Sequence, residues 1–308
     1  MPVPDFQSLM LPALKAFSEG GELPLARVRE RIAAAEGLSA EDIREMLPSG
    51  RQAVFTNRVS WAVIYMERAG LLERVRRGVY RLTQEGEHLL SREPSCIDIN
   101  LLGEYPDFAE WSQRANASTT TTTTPAPSDG SAETPEEALD RAARQLSSAL
   151  EADVLHRVRD AAPAFLEQVV VDLLIAMGYG GGDTAMGQVT GRSGDGGIDG
   201  TIREDALGLD EVYVQAKKYA EGNAVGESDL RNFAGAIDAA GTTKGVFVTT
   251  AGFTRAATDY VARSPKRIVL IDGEELARLM VRHGIGVRTR LHHEVKRIDE
   301  DYFGQEAP

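Results

Sequence analysis

Apolar residues recur at helical spacing from the start of the chain. Met10, Leu11, Leu14 and Phe17 fall three and four apart, and Leu25, Val28 and Ile32 repeat the interval, which predicts two short helices. Ser39 with Asp42 three residues on has the form of a capping box opening a third, Ala40 to Met46. The longest such pattern, Arg51 to Ala69, lines up Phe55, Val59, Ala62, Met66 and Ala69 on one face, with Gly70 to stop it. Beyond Gly70 the period changes to two: Leu72 to Arg76 and Val79 to Thr83 alternate around Arg77-Gly78, which predicts a hairpin.

The pattern then lapses. Residues 115–137 hold six consecutive threonines at 119–124, three prolines and almost no apolar side chain larger than alanine, so nothing there offsets the entropy of ordering it. The expected organisation is a first domain over 1–114, a linker over 115–137 and a second domain over 138–308. In the second domain a helix is predicted at Ala164–Met177, followed by strands at Met186–Thr190, Gly197–Arg203 and Glu211–Lys217. Helix Asp229–Ala239, strand Gly245–Thr250, helix Arg255–Ala262, strand Arg267–Ile271 and helix Glu274–His283 complete it. A helix, three strands in succession and then alternation imply an α/β sandwich around a mixed central sheet. No glycine-rich phosphate turn opens its first helix, which excludes a dinucleotide fold.

Composition narrows the function classes. With 308 residues, 42% apolar and 26% charged, the chain has the make-up of a folded protein of about two domains. Its one cysteine, Cys96, cannot form an internal disulfide, and no basic-then-apolar leader follows Met1, so a cytoplasmic protein is expected. The longest apolar stretch, Gln168 to Met177, is broken by Asp172 and is too short to span a bilayer, so no membrane role is expected. The five histidines show no metal-ligand spacing, which argues against zinc.

A net charge of −13 should repel nucleic acid on average, but the charge is uneven. Seven arginines between residues 51 and 81 face only Glu67 and Glu73, a local excess of +5. Helices followed by a basic hairpin give the order of a mostly α winged-helix domain, whose hairpin contacts the DNA backbone. Arg51, Arg58, Arg74, Arg76 and Arg77 are the candidate DNA contacts there. Arg58, Trp61, Tyr65 and Arg68 also form a stripe on the long helix. Its rings either stack on nucleic acid or widen the core face.

The densest cluster of glycine and acid is Gly194-Asp-Gly-Gly-Ile-Asp-Gly200, a backbone able to turn sharply and admit a large anion. On the strand after it, Tyr213, Gln215 and Lys217 share one face while Val212, Val214 and Ala216 point to the other. If the strands carrying Asp199 and Gln215 are antiparallel neighbours, a carboxylate and an amide oxygen can hold one hard cation, with Lys217 beside an attacking water. That set suits phosphodiester hydrolysis. Lysine serves as a compact charge on the developing phosphorane or, with a depressed pKa, as a group that positions or deprotonates water. Glu167, on the preceding helix, or Asp195 could supplement the ligands. Lys218 is a candidate phosphate contact. Thr249 and Thr250 read as structural, Asp272 as a helix cap.

These residues carry a resemblance. Asp199 and Gln215-Ala216-Lys217, preceded by GDGGIDG and by FLEQVVVDLLIAMGYG with Glu167, resemble the Mrr catalytic domain of the PD-(D/E)XK nuclease superfamily over roughly Phe165 to Met280. VFVTT at 246–250 and IVLIDGEELARLM at 268–280 belong to the same match. LPSGRQAVFTNRVSWA at 47–62 and AGLLERVRRGVYRLTQEG at 69–86 resemble the amino-terminal domain of the same proteins. The resemblance implies a modification-dependent, type IV restriction endonuclease acting on methylated double-stranded DNA with Mg²⁺, or Mn²⁺ in its place. It implies that Asp199 and Gln215 hold the metal, that Lys217 is catalytic and that Glu167 assists. A cut through both strands needs two active sites or two visits, so a homo-oligomer is expected. The alternatives are a structure-selective nuclease of the junction-resolving kind and a DNA-binding regulator that does not cut.

Overall fold

A computed structural model describes residues 2–117, 133–189, 197–205, 207, 209–292, 294–296, 298 and 302. The chain forms two compact units, one built mainly from residues up to Ala143 and the other from Arg144 to Val295.

The first unit runs α1 (Met10–Ala16), β1 (Leu23–Pro24), α2 (Leu25–Ala35), α3 (Ala40–Arg44), α4 (Val54–Arg68), β2 (Leu72–Arg76), β3 (Val79–Leu82), α5 (Gln84–Ser91), α6 (Ile99–Leu102) and α7 (Pro106–Ala117). Ser39 and Asp42 form the expected capping box. Helix α4 starts three residues later than the periodicity predicts, because Met46 and Ala53 form an antiparallel bridge that holds the backbone before it extended. Phe55, Val59, Ala62, Val63 and Met66 bury its inner face. The hairpin of β2 and β3 is antiparallel, with a register shift between Arg74 and Arg76, and β1 pairs with β3 to complete a three-stranded wing.

The aromatic stripe on α4 belongs to the core. Tyr65 is 6% exposed, and its ring lies 5.4 Å from Phe6, 5.6 Å from Trp61, 5.6 Å from Phe108 and 5.4 Å from Trp111. Burial, with the Glu136 charge nearby, pushes the Tyr65 phenol up from its ordinary value. Phe108 and Trp111 sit on α7, a helix that the apolar pattern did not reveal.

Helix α8 (Pro135–Asp160) changes the expected boundaries. Residues 118–132 lie outside the described residues, but both flanks of the expected linker are structured. Ala115 to Ala117 end α7, and Thr134 is fully buried. The Thr134 hydroxyl donates to Asn57 Oδ1 at 2.6 Å and accepts from the Glu137 N–H, while the Glu137 carboxylate takes the Thr134 N–H at 2.8 Å. This reciprocal cap starts a helix where composition alone suggests a mobile chain. Trp61 Nε1 donates to Glu136, the Ser49 N–H donates to Asp140 at 3.1 Å, and Arg58 pairs with Glu137 at 2.8 Å. The division between units therefore falls between Ala143 and Arg144, inside α8, rather than at residue 138.

Asn57 is 2% exposed, so Asn57→Ala strands the Thr134 hydroxyl proton in a buried place. The expected result is a loss of ~1–3 kcal/mol in the unfolding of the first unit, measured by denaturant titration of the full chain.

In the second unit follow α9 (Pro163–Ala176), β4 (Gly187–Val189), β5 (Gly200–Arg203), β6 (Glu211–Lys217), β7 (Ala224–Val225) and α10 (Glu227–Ala239). Then come β8 (Lys244–Thr249), β9 (Gly252–Phe253), α11 (Arg255–Arg263), β10 (Arg267–Ile271) and α12 (Gly273–His283). The main sheet has the order β10-β8-β6-β5-β4, with β10, β8 and β6 parallel and β6, β5 and β4 antiparallel. Val212, Val214, Val246 and Val248 meet Val170, Leu173, Leu174, Leu276 and Met280 of α9 and α12 on one face. Phe247 meets Leu230, Phe233, Ile237 and Ala257 of α10 and α11 on the other. This is the mixed-sheet α/β sandwich that the pattern predicts, as expected of a PD-(D/E)XK nuclease. Strand β5 begins at Gly200 rather than Gly197, because Gly197 turns into a positive φ of 89°. Among the described residues no helix is long and apolar enough to cross a membrane.

Candidate active site

The antiparallel register of β5 and β6 places the chemistry. Gly200 pairs with Val214, so the residue before it, Asp199, comes opposite Gln215. The Asp199 N–H donates to the Val214 carbonyl at 2.9 Å, and its Oδ2 accepts from the Ala216 N–H at 2.8 Å. The condition set by the sequence pattern, that the two strands be antiparallel neighbours, is met, and the register brings Asp199 and Gln215 to opposite positions where the β5–β6 pairing ends.

Gln215 is 8% exposed, and its Oε1 has no hydrogen-bond partner among the described residues. An orphaned buried acceptor carries a desolvation cost that a cation or donor arriving in the site would relieve. Gly197 closes over the other end of the amide, where a Cβ would lie 2.4 Å from Gln215 Nε2. The donor set, one carboxylate and one amide oxygen, is hard, and suits Mg²⁺ or Mn²⁺ rather than zinc. No group of three or more His, Cys, Asp or Glu suited to a metal ion exists among the described residues. Asp195 lies outside them.

Lys217 shares the Gln215 face at the end of β6. Its Nζ is 2.5 Å from Asp229 Oδ1, and both side chains are largely covered, at 33% and 21% exposure. Burial pulls the Lys217 pKa down, but the hydrogen bond and charge of Asp229 outweigh it, with Tyr219 contributing, so the pKa lies above the ordinary lysine value. The depressed-pKa role is therefore not the one that this environment favours. Lys217 is held as an ammonium.

Asp229 itself was not singled out from the sequence. An acid in the first turn of a predicted helix reads as a cap, and it does accept the Gly226 N–H at 3.3 Å. Only the fold brings it to Lys217.

The other candidates are distributed unevenly. Glu167 is half-buried on α9, the helix that covers the Val212 and Val214 face, whereas Asp199 and Gln215 alternate onto the opposite face. Val171 lies close over both Gly187 and Gly200, and Ile175 over Gly187, which pairs with Ile202. Glu167 lies one helical turn before Val171 on α9. Lys218 Nζ donates to the Ala161 carbonyl just beyond α8, an engagement that its reading as a phosphate contact does not anticipate.

On the first unit Arg51, Arg74, Arg76 and Arg77 are exposed, with Arg76 3.7 Å from Glu22. Arg58 is different. Its guanidinium reaches Glu137 and the carbonyls of Val3 and Pro4, so the residue expected on DNA is engaged within its own unit. Thr249 and Thr250 are fully buried, and the Thr250 hydroxyl both accepts from the Tyr219 N–H and donates to the Tyr219 carbonyl at 2.8 Å, a structural role. Asp272 caps α12 through the Glu275 N–H at 2.9 Å.

Comparison with known proteins agrees with this architecture. Residues 6–92 match the Mrr N-terminal domain, and residues 158–280 match the Mrr catalytic domain, described as a restriction endonuclease. The type IV methyl-directed restriction enzyme EcoKMrr of Escherichia coli strain K12 is 35% identical over 98% of this chain and 100% of its own length. Two solved structures align at low similarity. One is MspJI restriction endonuclease in complex with a 27-mer oligonucleotide, at 18% identity and a TM-score of 0.32, covering 66% of this chain and 47% of that one. The other is the DNA modification-dependent restriction endonuclease AspBHI, at 20% identity and a TM-score of 0.37, covering 68% and 53%. The chain thus spans about half the length of each of these two. Matched in both of its units and along nearly its whole length by one relative, the chain belongs to the Mrr family of restriction endonucleases, metal-dependent DNA nucleases related to the PD-(D/E)XK group.

Proposed function

We propose that this protein hydrolyses phosphodiester bonds in methylated double-stranded DNA, using Mg²⁺ held by Asp199 and Gln215, with Lys217 as the catalytic charge and Glu167 assisting from α9. The observation that carries the reading is the buried Oε1 of Gln215, unpartnered among the described residues, on a residue that the strand register brings opposite Asp199 and that lies two before Lys217 on one face of β6. The methylated substrate is supported by the full-length likeness to an enzyme described as methyl-directed.

When bound, a divalent ion neutralises non-bridging phosphate oxygens and makes water acidic enough to yield a nucleophile near neutral pH. The chain does the rest. Asp199 and the Gln215 amide fix the position of charge at the strand ends, and their backbone is locked by the β5–β6 ladder. Lys217 presents an ammonium to the phosphoryl oxygens as negative charge builds on them. A P–O bond forms to the water oxygen, the bridging P–O bond breaks, and the departing alcohol leaves with a proton. In the first unit, Arg51 and the hairpin residues Arg74, Arg76 and Arg77 contact backbone phosphates and hold the duplex without reading its sequence. On this reading the enzyme works in the cytoplasm beside its DNA substrate, and a two-strand break calls for a second copy on the same duplex.

The test uses the full chain on one plasmid prepared with and without methylated bases, in Mg²⁺ and in EDTA. Linearisation of the methylated plasmid in Mg²⁺ only is the expected result. Absence of metal-dependent cutting on any methylated substrate overturns the reading. Preferential cutting of an unmethylated four-way junction replaces it with the structure-selective alternative.

A further inference from the structure

We propose that Asp229 is a positioning residue for Lys217, and that the catalytic ammonium is placed by α10 rather than by its own strand alone. This rests on the reading of Lys217 as the catalytic charge.

A lysine at a strand end has a flexible four-carbon stem, and its ammonium samples many positions unless an acceptor fixes it. At Lys217 that acceptor is Asp229 Oδ1, at 2.5 Å. Asp229 is itself fixed. Its Oδ2 accepts the Gly226 N–H in the first turn of α10, and α10 is rooted in the sandwich by Leu230, Phe233 and Ile237, each fully buried. The support therefore runs from the apolar core through α10 and Asp229 to Lys217, on the same face of β6 as Gln215.

Chemistry argues for the same role. A carboxylate next to a site for a polyanionic substrate repels it, so on electrostatics alone Asp229 is a liability there. Its presence is explained if it acts through Lys217. One of the three ammonium donors is then committed to Asp229 and Tyr219 also engages the group, which leaves a donor for a phosphoryl oxygen.

The test compares Asp229→Asn, Asp229→Glu and Lys217→Ala with wild type in steady-state cleavage of methylated DNA, together with thermal melting. Asparagine keeps an oxygen for the Gly226 N–H but loses the carboxylate charge. The expected result is a fall in kcat of ~10²-fold for Asp229→Asn, the scale of a misplaced catalytic group, with KM and Tm close to wild type. Asp229→Glu, which retains the carboxylate, is expected to recover much of that loss. A wild-type or raised kcat in Asp229→Asn beside an inactive Lys217→Ala overturns the positioning role and leaves the active-site assignment intact. Wild-type rates in both variants overturn the assignment itself. If Asp229→Asn melts early, Asp229→Ser, which also offers the Gly226 N–H an oxygen, decides the matter. Normal kcat in that variant counts against the proposal, and reduced kcat at normal Tm supports it.

Discussion

Replacing Lys217 by alanine is expected to lower the cleavage rate on methylated plasmid by at least ~10²–10³-fold, the usual cost of removing one preorganised donor aimed at transition-state charge. Binding of the same DNA in EDTA should change little. Lys217 lies at the end of β6, paired with Thr249 of β8 and beyond the last β5 pair at Val214. Deleting its side chain beyond Cβ therefore leaves both ladders intact. The Lys217 side chain is 33% exposed and its ammonium pairs with Asp229, so its loss also leaves that carboxylate facing incoming phosphate without its cation. The two effects act in the same direction on the chemical step. Cleavage by Lys217→Ala at the wild-type rate would remove Lys217 from the active site, and a parallel loss of DNA binding would recast it as a substrate contact.

Gly197→Ala is the second substitution with a large expected effect, although residue 197 contributes no functional group. The new Cβ would stand 2.4 Å from Gln215 Nε2, and the backbone there has a φ of 89°, a region that costs a side-chain-bearing residue ~1–3 kcal/mol. Gln215 cannot easily yield, because its backbone is locked in a central strand and its side chain is 8% exposed. Either the amide rotates, which moves Oε1 away from Asp199, or the turn before β5 opens. Cleavage is expected to fall ~10²-fold, and the Mg²⁺ concentration for half-maximal activity to rise. Unchanged cleavage and metal dependence in Gly197→Ala would show that the contact with Gly197 does not hold the Gln215 amide in its working position.

The nuclease unit was legible in the sequence to an unusual degree, and the reason is local. Strands Glu211–Lys217 and Arg267–Ile271 have the bounds that their apolar patterns predict, because alternation or continuous burial leaves a periodic trace in the chain itself. Asp199 and Gln215 could be placed opposite each other once two adjacent strands were assumed, since antiparallel register is simple arithmetic. What escaped notice depends on partners distant in the chain. Asp229 looks like any helix-capping acid until α10 packs beside β6. Arg58 looks like a surface cation until Glu137, 79 residues away, closes on it. The start of α8 gave no periodic signal, because the buried residues of that helix, Val154, Leu155 and Val158, lie at its other end. Trp61 and Tyr65 admit two readings from the sequence, of which the core face is the commoner for large aromatics, and α7 settles them as core by supplying Phe108 and Trp111.

The anchoring of Thr134 on Asn57 also alters what the threonine run can be. Helix α7 packs Phe108 and Trp111 against Tyr65 of α4, and Glu136 and Glu137 reach the same helix at Trp61 and Arg58, so residues 118–132 leave and rejoin a single unit. A segment closed at both ends on one body adds only a slowly growing entropic term as it lengthens, ~0.6 kcal/mol for each doubling. A change in the length of that stretch therefore leaves untouched the helix by which the chain passes from the first unit to the second. The covalent route between the units runs instead through the helical residues around Ala143 and Arg144, so a helix-breaking substitution there would act on the passage itself.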